Sequence, residues 1–180
     1  MKKLSIEIKW ALVFVAMTLA WMLGEKLAGF HDTRIAQHAT VTMFYAIPAI
    51  AVYVLALLDK RRNFYEGAMT YQQGFVSGMW ITLFVVLLSP LTQVIVSKVI
   101  TPDYFSNAID YAISSGMMER AAAEQYFSLP SYIRMGLIGA LVMGAVTSAI
   151  VAIFTRKAKK EVREGKVDVV YVDSPKTPKP

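Results

Sequence analysis

Four long runs without a charged residue dominate this sequence and limit the folds that it can adopt. The runs cover residues 10–24, 35–58, 67–97 and 135–155 of a 180-residue chain. A helix needs about 20 apolar residues to cross about 30 Å of hydrocarbon, so three of the runs are long enough by themselves. Hydrophobic residues make up 56% of the chain and charged residues only 18%, which is unusual for a soluble domain. The sequence therefore predicts an all-α, polytopic membrane protein.

The first run is short, with 15 residues before Glu25. We expect its helix to gain the missing length beyond Glu25. The four predicted spans are then at about residues 10–30, 36–58, 73–97 and 131–155. A cleaved signal peptide is an alternative for this run, because Lys2, Lys3 and Lys9 precede it. Glu25 and Lys26 fit poorly into a cleavage region, which favours the four-span interpretation.

The chain divides into a transmembrane domain over residues 1–156 and a basic tail over residues 157–180. Between the third and fourth spans, residues 102–128 have the pattern of a short helical hairpin. Phe105, Ile109 and Ile113 recur at every fourth position, and Gly116 is a typical helix stop. The tail alternates apolar and polar residues only briefly and ends in a segment rich in proline and lysine. We expect the tail to be mostly disordered.

The positions of lysine and arginine predict the orientation of the four spans. Fourteen of the 19 lie in the N-terminal flank, in the loop between the second and third spans and in the tail, and the rest lie on the other side. Cytoplasmic flanks of membrane proteins carry the excess of these residues. We therefore expect both termini to be cytoplasmic and the helical hairpin to be on the outer side.

Glu25 is the one acidic residue near the outer end of the first span, where an ionisable group is costly and usually finds a partner. Arg134 and Lys98 are candidate partners at a similar depth, and we expect His38 and Gln93 in the same outer polar layer. One interpretation of this layer is an interfacial ion pair. The other is a proton or cation site, with Glu25 as the titrating group and His38 as a relay or ligand.

Several kinds of chemistry have no pattern in this sequence. The chain has no cysteine, which excludes disulfides, thiolate metal sites and cysteine nucleophiles. It also has no phosphate-binding loop, nucleophile motif or HExxH pattern. His31, Asp32 and His38 are an alternative metal-ligand set, but three ligands without a defined geometry are a weak pattern. We therefore predict no enzyme activity, no cofactor and no metal site.

Small residues predict which helices approach each other most closely. In the fourth span they repeat at Gly136, Ala140, Gly144, Ser148 and Ala152, and in the third at Gly74, Gly78 and Thr82. Small residues let helix backbones pack closely in lipid. Because the two spans are antiparallel, we expect Gly78 to pack against Ser148 or Ala152. We expect Thr82 to pack against Gly144 or Ser148. The alternative is that the groove of the fourth span faces lipid and forms the seam of a homodimer.

A resemblance to a known family rests on positions spread over the whole chain. These are Trp10, Glu25-Lys26, His31-Asp32, Asp59-Lys60-Arg61, Gln73-Gly74-Phe75, Ser89-Pro90, Thr101-Pro102-Asp103-Tyr104-Phe105 and residues 124–127. With them the chain, over about residues 1–156, resembles a bacterial membrane family catalogued as domain of unknown function 4199. The resemblance implies a small inner-membrane protein of Gram-negative bacteria and carries over no activity, substrate or site residue.

The predicted function is that of a non-enzymatic accessory or scaffold subunit that assists an envelope complex or self-associates. The alternative is a small proton- or cation-coupled transporter that uses Glu25. Expected partners are the lipid bilayer and another membrane protein or a second copy, and not nucleic acid, because the basic residues follow the membrane flanks. A transporter needs a cavity that reaches Glu25, whereas a scaffold needs a tightly packed interior and a lipid-facing groove of small residues.

Overall fold

The computed structural model describes residues 4–163 and 166–170. Over these residues the helices are α1 (Ser5–Leu27), α2 (Ile35–Val41), α3 (Ala46–Asn63), α4 (Tyr71–Ile95), α5 (Tyr104–Ser114), α6 (Arg120–Tyr126) and α7 (Leu129–Thr155). A 3-10 turn at Thr42–Tyr45 joins α2 to α3, and a π turn at Val96–Ile100 extends α4. The short helices α5 and α6 form the predicted helical pair between the third and fourth spans.

Among the residues that the structure describes, four helical segments are long and apolar enough to cross a membrane, judged by length and composition. They are Ser5–Leu27, Ile35–Asn63, Tyr71–Ile100 and Leu129–Thr155. The shortest has 23 residues, which is about 35 Å of helix at about 1.5 Å per residue. The predicted all-α architecture with four membrane-length helices is confirmed.

The first span differs from its predicted bounds, because it gains its length on the other side. It begins at Ser5 and ends at Leu27 instead of continuing to residue 30. Glu7 lies before the predicted start of the span, which follows Lys9, and it is only 1% exposed within the helix. Its Oε1 atom lies 2.8 Å from Lys60 Nζ and accepts a hydrogen bond from the Ser77 hydroxyl. The partners on other spans allow this carboxylate to be buried.

Pro90 lies inside α4 without ending it. A proline removes the hydrogen bond that its nitrogen would donate to the carbonyl four residues earlier, here that of Val86. The Ser89 hydroxyl donates to this carbonyl instead, at 2.9 Å. A neighbouring hydroxyl thus satisfies the freed acceptor, which is how membrane helices tolerate proline.

The third and fourth spans make the most extensive helix contact of the bundle. A Cβ added at Gly78 would lie 2.5 Å from Ser148 Oγ, and one added at Gly144 would lie 2.6 Å from Thr82 Oγ1. Both pairs are among those that the small-residue spacing predicts. The groove therefore packs within the chain over this half of the fourth span, rather than facing lipid.

The first span packs against the second and third, and the fourth packs against the same two. The first and fourth spans therefore lie diagonally across the bundle. We call the end that contains Glu7, Lys60 and Arg61 the basic end, and the other end, which contains Glu25, His31 and His38, the histidine end. At the basic end, Arg61 Nη1 donates to the Thr155 carbonyl at 2.8 Å, which joins the second span to the fourth.

The tail begins with regular structure that the sequence did not predict. Strands β1 (Lys159–Arg163) and β2 (Lys166–Val170) pair antiparallel, and Met69 forms an isolated bridge with Lys157. The brief apolar–polar alternation in this part of the tail is typical of a strand. These two strands lie in the part of the chain that we expected to be mostly disordered, and residues 164–165 and 171–180 of the tail lie outside the described residues.

Candidate functional site

Glu25 is the centre of a buried polar cluster at the histidine end. It lies in the last turns of α1 and is 4% exposed. Trp21, one helical turn earlier, donates its indole N–H to Glu25 Oε1 at 2.6 Å. The other carboxylate oxygen, Oε2, lies 3.2 Å from His31 Nε2 and 3.5 Å from His38 Nε2. One carboxylate therefore faces two imidazoles.

His31 reaches Glu25 because the chain turns back immediately after α1. Gly29 adopts a φ of +80°, a left-handed conformation that favours glycine. The Phe30 amide donates to the Glu25 carbonyl, and the Arg34 amide donates to the Gly29 carbonyl. These bonds fold the loop over the end of the helix, where His31 is only 2% exposed.

Helix α5 covers the cluster from the loop between the third and fourth spans. Asn107 donates its side-chain amide to the His31 carbonyl at 3.0 Å. The Tyr104 hydroxyl lies 3.4 Å from His38 Nδ1 and 3.2 Å from the Tyr132 hydroxyl. Burial raises the pKa of Tyr104, so its hydroxyl keeps its proton at neutral pH. The helical pair is therefore attached to the cluster by specific polar contacts.

Two nitrogen atoms of the cluster have no hydrogen-bond partner among the described residues. They are His31 Nδ1 and His38 Nε2, and both are buried. A buried polar atom without a partner is uncommon in native proteins and is costly in an apolar environment. The arrangement of Glu25, His31 and His38 thus has unused capacity to bind.

A cavity of about 490 Å³ lies beside this cluster, inside the bundle. Its walls come from all four spans and are mostly apolar, with Phe14, Val85 and Ala140 among the lining residues. A second cavity of about 290 Å³ continues toward the histidine end and reaches His38. The two share five lining residues, which are Met22, Thr42, Gln93, Val96 and Tyr132. The two cavities are therefore adjacent.

The larger cavity opens sideways. Among its lining residues, Met43 and Ile50 of the second span are 75% and 46% exposed, and Met143 of the fourth span is 60% exposed. Since exposed residues of both spans border it, the opening lies between the second and fourth spans. This opening faces the hydrocarbon when the four helices cross a membrane.

The residues of the predicted outer polar layer have different environments. Glu25 and His38 lie together, whereas Gln93 lines the two cavities. Arg134 and Lys98, the expected partners of Glu25, are both exposed. The actual partners on other segments are the two histidines.

Asp32 is exposed and is not part of the cluster, although it follows His31 directly. Its carboxylate accepts a hydrogen bond from the Thr33 amide, which lowers the pKa of Asp32. The alternative metal-ligand set predicted from the sequence combines Asp32 with His31 and His38, whereas the structure brings Glu25 to the two histidines. The role of Tyr104 was missed, because nothing in its spacing connects it to His38.

The predicted packing residues also separate into two groups. Three of them, Gly74, Gly78 and Thr82, contact the fourth span. A Cβ added at Gly74 would lie 3.3 Å from the Ala152 Cβ. Gly136 and Ala140 continue the same stripe on the fourth span but line the cavity, and a Cβ added at Gly136 would have no atom within 4 Å. The two spans therefore separate toward the histidine end.

Comparisons with known proteins agree with the resemblance described above. No curated protein and no solved structure matches the chain. One family model, described as protein of unknown function (DUF4199), matches residues 9–157. This range covers most of the transmembrane domain and most of the whole chain. The protein therefore belongs to the DUF4199 family.

Proposed function

We propose that this protein is a non-enzymatic membrane protein that binds a lipid-class amphiphile. One hydrocarbon chain of the ligand occupies the cavity, and its polar group lies at Gln93. The observation that carries the proposal is the cavity of about 490 Å³, which is largely apolar and opens between two spans. Sites for small ligands are typically concave, about 300–1,000 Å³ in volume and apolar, with a few polar groups that fix orientation.

Gln93 is the polar anchor in this proposal. Its side-chain amide makes no hydrogen bond with other described residues, although it borders both cavities. The neighbouring Thr92 hydroxyl, by contrast, donates to the Leu88 carbonyl at 3.0 Å. An amide without a partner is unfavourable in an apolar environment. A carbonyl or hydroxyl of the ligand at this depth would satisfy it.

The length of the cavity fits a chain from one leaflet. Along the third span the lining residues extend from Val85 to Val96, which is about 16 Å of helix at about 1.5 Å per residue. Half of a typical hydrocarbon core is about 15 Å. The sideways opening would let such a molecule enter from the bilayer without passing through water.

The proposal covers binding and not transport. Toward the basic end the bundle is closed by Leu57, Ile81 and Ala152, each of which is 0% exposed. A small proton- or cation-coupled transporter that uses Glu25 would need this half to open. We therefore favour a binding protein over a transporter.

The test is to identify what the purified protein retains. Protein extracted in mild detergent and measured by native mass spectrometry should carry one lipid-class molecule per chain. The matched variants are Gly139→Trp and Ile138→Trp. Gly139 lines the cavity with no atom within 4 Å of an added Cβ, so a large side chain there should fill the space and displace the ligand. Ile138 is 66% exposed and does not line it.

Retention by Ile138→Trp together with loss by Gly139→Trp would support the proposal. Equal retention by both variants, or no bound molecule in the unmodified protein, would overturn it. Thermal unfolding of both variants shows whether the fold persists, which separates loss of the ligand from loss of the fold.

A role as an accessory or scaffold subunit is the second candidate. It is favoured by two exposed apolar residues outside the spans, Met117 at 59% and Tyr126 at 42%, on the helical pair. Exposed apolar groups outside the hydrocarbon are typical of interaction sites. Co-purification with a partner protein, or formation of a homo-oligomer, that is lost in Met117→Ser would support this role. Purification of the unmodified protein as a monomer alone would contradict it.

We also propose that the basic end faces the cytoplasm of a bacterial inner membrane. Support comes from four cations that lie at this end of the bundle, which are Lys9, Lys60, Arg61 and Arg156. The positive-inside bias assigns such an end to the cytoplasm.

A further inference from the structure

We propose that Glu25, His31 and His38 bind one divalent first-row transition-metal ion, with Zn²⁺ as its simplest representative. The three residues offer one ligand atom each, and these atoms all lie within 4.8 Å of one another. They come from α1, from the loop after it and from α2, so the site exists only in the folded chain. This inference does not depend on the lipid-binding proposal.

The distances around Glu25 suit a metal ion. In tetrahedral zinc sites the bonds to histidine nitrogen and carboxylate oxygen are about 2.0–2.1 Å, which separates neighbouring donor atoms by about 3.3 Å. Glu25 Oε2 lies 3.2 Å from His31 Nε2 and 3.5 Å from His38 Nε2. Two of the three donor separations therefore already match a tetrahedral site, and the third is within 4.8 Å.

The surroundings fix the ligand atoms, as they do in known metal sites. Trp21 donates to Glu25 Oε1, which leaves Oε2 as the coordinating oxygen. The Tyr104 hydroxyl lies 3.4 Å from His38 Nδ1, the nitrogen on the far side of the ring from Glu25. Hydrogen bonds to the outer atoms of ligands set the tautomer and orientation of the ring. Asn107 holds the loop through the His31 carbonyl.

An unsatisfied nitrogen provides a second, independent observation. The His38 Nε2 atom, which faces Glu25, is buried and has no hydrogen-bond partner among the described residues. Its contact of 3.5 Å with Glu25 Oε2 is not a hydrogen bond, so the His38 Nε2 atom stays unsatisfied. Coordination of a metal by this atom removes that cost.

The donor set defines the class of ion. Two imidazoles and one carboxylate suit zinc, iron(II), manganese(II), cobalt(II) and nickel(II), whereas calcium and magnesium prefer sites built from oxygen. Three protein ligands leave at least one coordination position open. His38 borders the smaller cavity, so this position is reachable from it.

The test uses the full-length protein, purified in detergent without a polyhistidine tag and treated with a chelator. Titration with Zn²⁺ alone, followed by calorimetry and by thermal unfolding, should show one ion per chain and a higher unfolding temperature, because an ion that binds only the folded state stabilises it. Co²⁺ should give the strong visible absorption of a four-coordinate ion, and Zn²⁺ should displace it.

Three variants locate the site. His31→Gln should lose stoichiometric binding. Tyr104→Phe should weaken binding by about 10-fold, which is typical when a supporting hydrogen bond to a ligand is removed. Asp32→Asn, next to the site but outside it, should bind as the unmodified protein does.

Absence of stoichiometric Zn²⁺ and Co²⁺ binding by the unmodified protein would overturn the inference. So would equal binding by His31→Gln and Asp32→Asn. The cobalt spectrum is measured on the unmodified protein, so the test remains decisive even when a variant fails to fold.

Discussion

Gly78 on the third span lies against Ser148 on the fourth so closely that an added Cβ would be 2.7 Å from the Ser148 Cβ. The Ser148 hydroxyl donates to the Gly144 carbonyl of its own helix at 2.6 Å, so its polar group is satisfied. Lipid supplies no hydrophobic force between helices, and close packing of small residues takes its place. The stability of the bundle should therefore depend on these positions.

Gly78→Ala should lower the free energy of unfolding by about 1–3 kcal/mol, because one extra methyl group forces the two backbones apart. Gly136→Ala is the matched control, since an added Cβ there meets no atom within 4 Å. Unfolding of both variants in mixed micelles would measure the difference. Equal stability of the two would contradict the packing described for Gly78.

The pair of Glu7 and Lys60 should behave as a buried ion pair, since the two residues are 1% and 3% exposed. Lys60→Met leaves the Glu7 carboxylate without its cation and should cost about 3–5 kcal/mol of unfolding free energy. The double variant Glu7→Leu with Lys60→Met removes both charges and should recover most of this loss. A double variant as unstable as Lys60→Met would show that the contact is not an ion pair of this kind.

Gly29→Ala should disturb the loop that carries His31. The φ of +80° is unfavourable for alanine by about 1–2 kcal/mol, and the added Cβ would lie 2.7 Å from Thr33 Oγ1. Gly24→Ala, inside α1 with no atom within 4 Å of its Cβ, should be neutral or slightly stabilising. Thermal unfolding compares the two, and a Gly29→Ala protein as stable as Gly24→Ala would argue against the loop conformation.

Reporter fusions test the orientation of the spans. Fusions after Glu66 and after Lys160 should read as cytoplasmic, and a fusion after Gly116 should read as periplasmic, because lysine and arginine are concentrated at the basic end. A periplasmic reading after Lys160 would contradict the proposed orientation and the even number of spans.

Much of the fold follows from simple sequence patterns, and the exceptions have physical causes. Uncharged runs locate the four spans, but the helix of the first begins earlier, at Ser5, because Glu7 within it is buried against Lys60, a partner that is distant in sequence. The period of four on the fourth span identifies the face that packs at Gly144 and Ser148. The same period continues through Gly136, where the spans separate, and residue size alone does not reveal that change.

The candidate site was only partly predictable. Glu25 stood out because a carboxylate near the end of an apolar helix needs a partner. Depth along the helix suggested Arg134, whereas the partner His31 is brought in by the left-handed turn at Gly29, which no periodicity indicates. The cavity was not predictable at all, because it depends on how far two helices diverge.

Photocrosslinking tests the central claim, the binding of a lipid chain inside the bundle, most directly. The unmodified protein is placed in bilayers that contain lipids with a photoreactive group on the acyl chain, and the labelled residues are mapped by mass spectrometry. A bound chain should label Val85 and Thr92, which line the cavity but are only 6% and 9% exposed. Labels confined to lipid-facing residues such as Leu87 and Ile138, each 66% exposed, would contradict the claim.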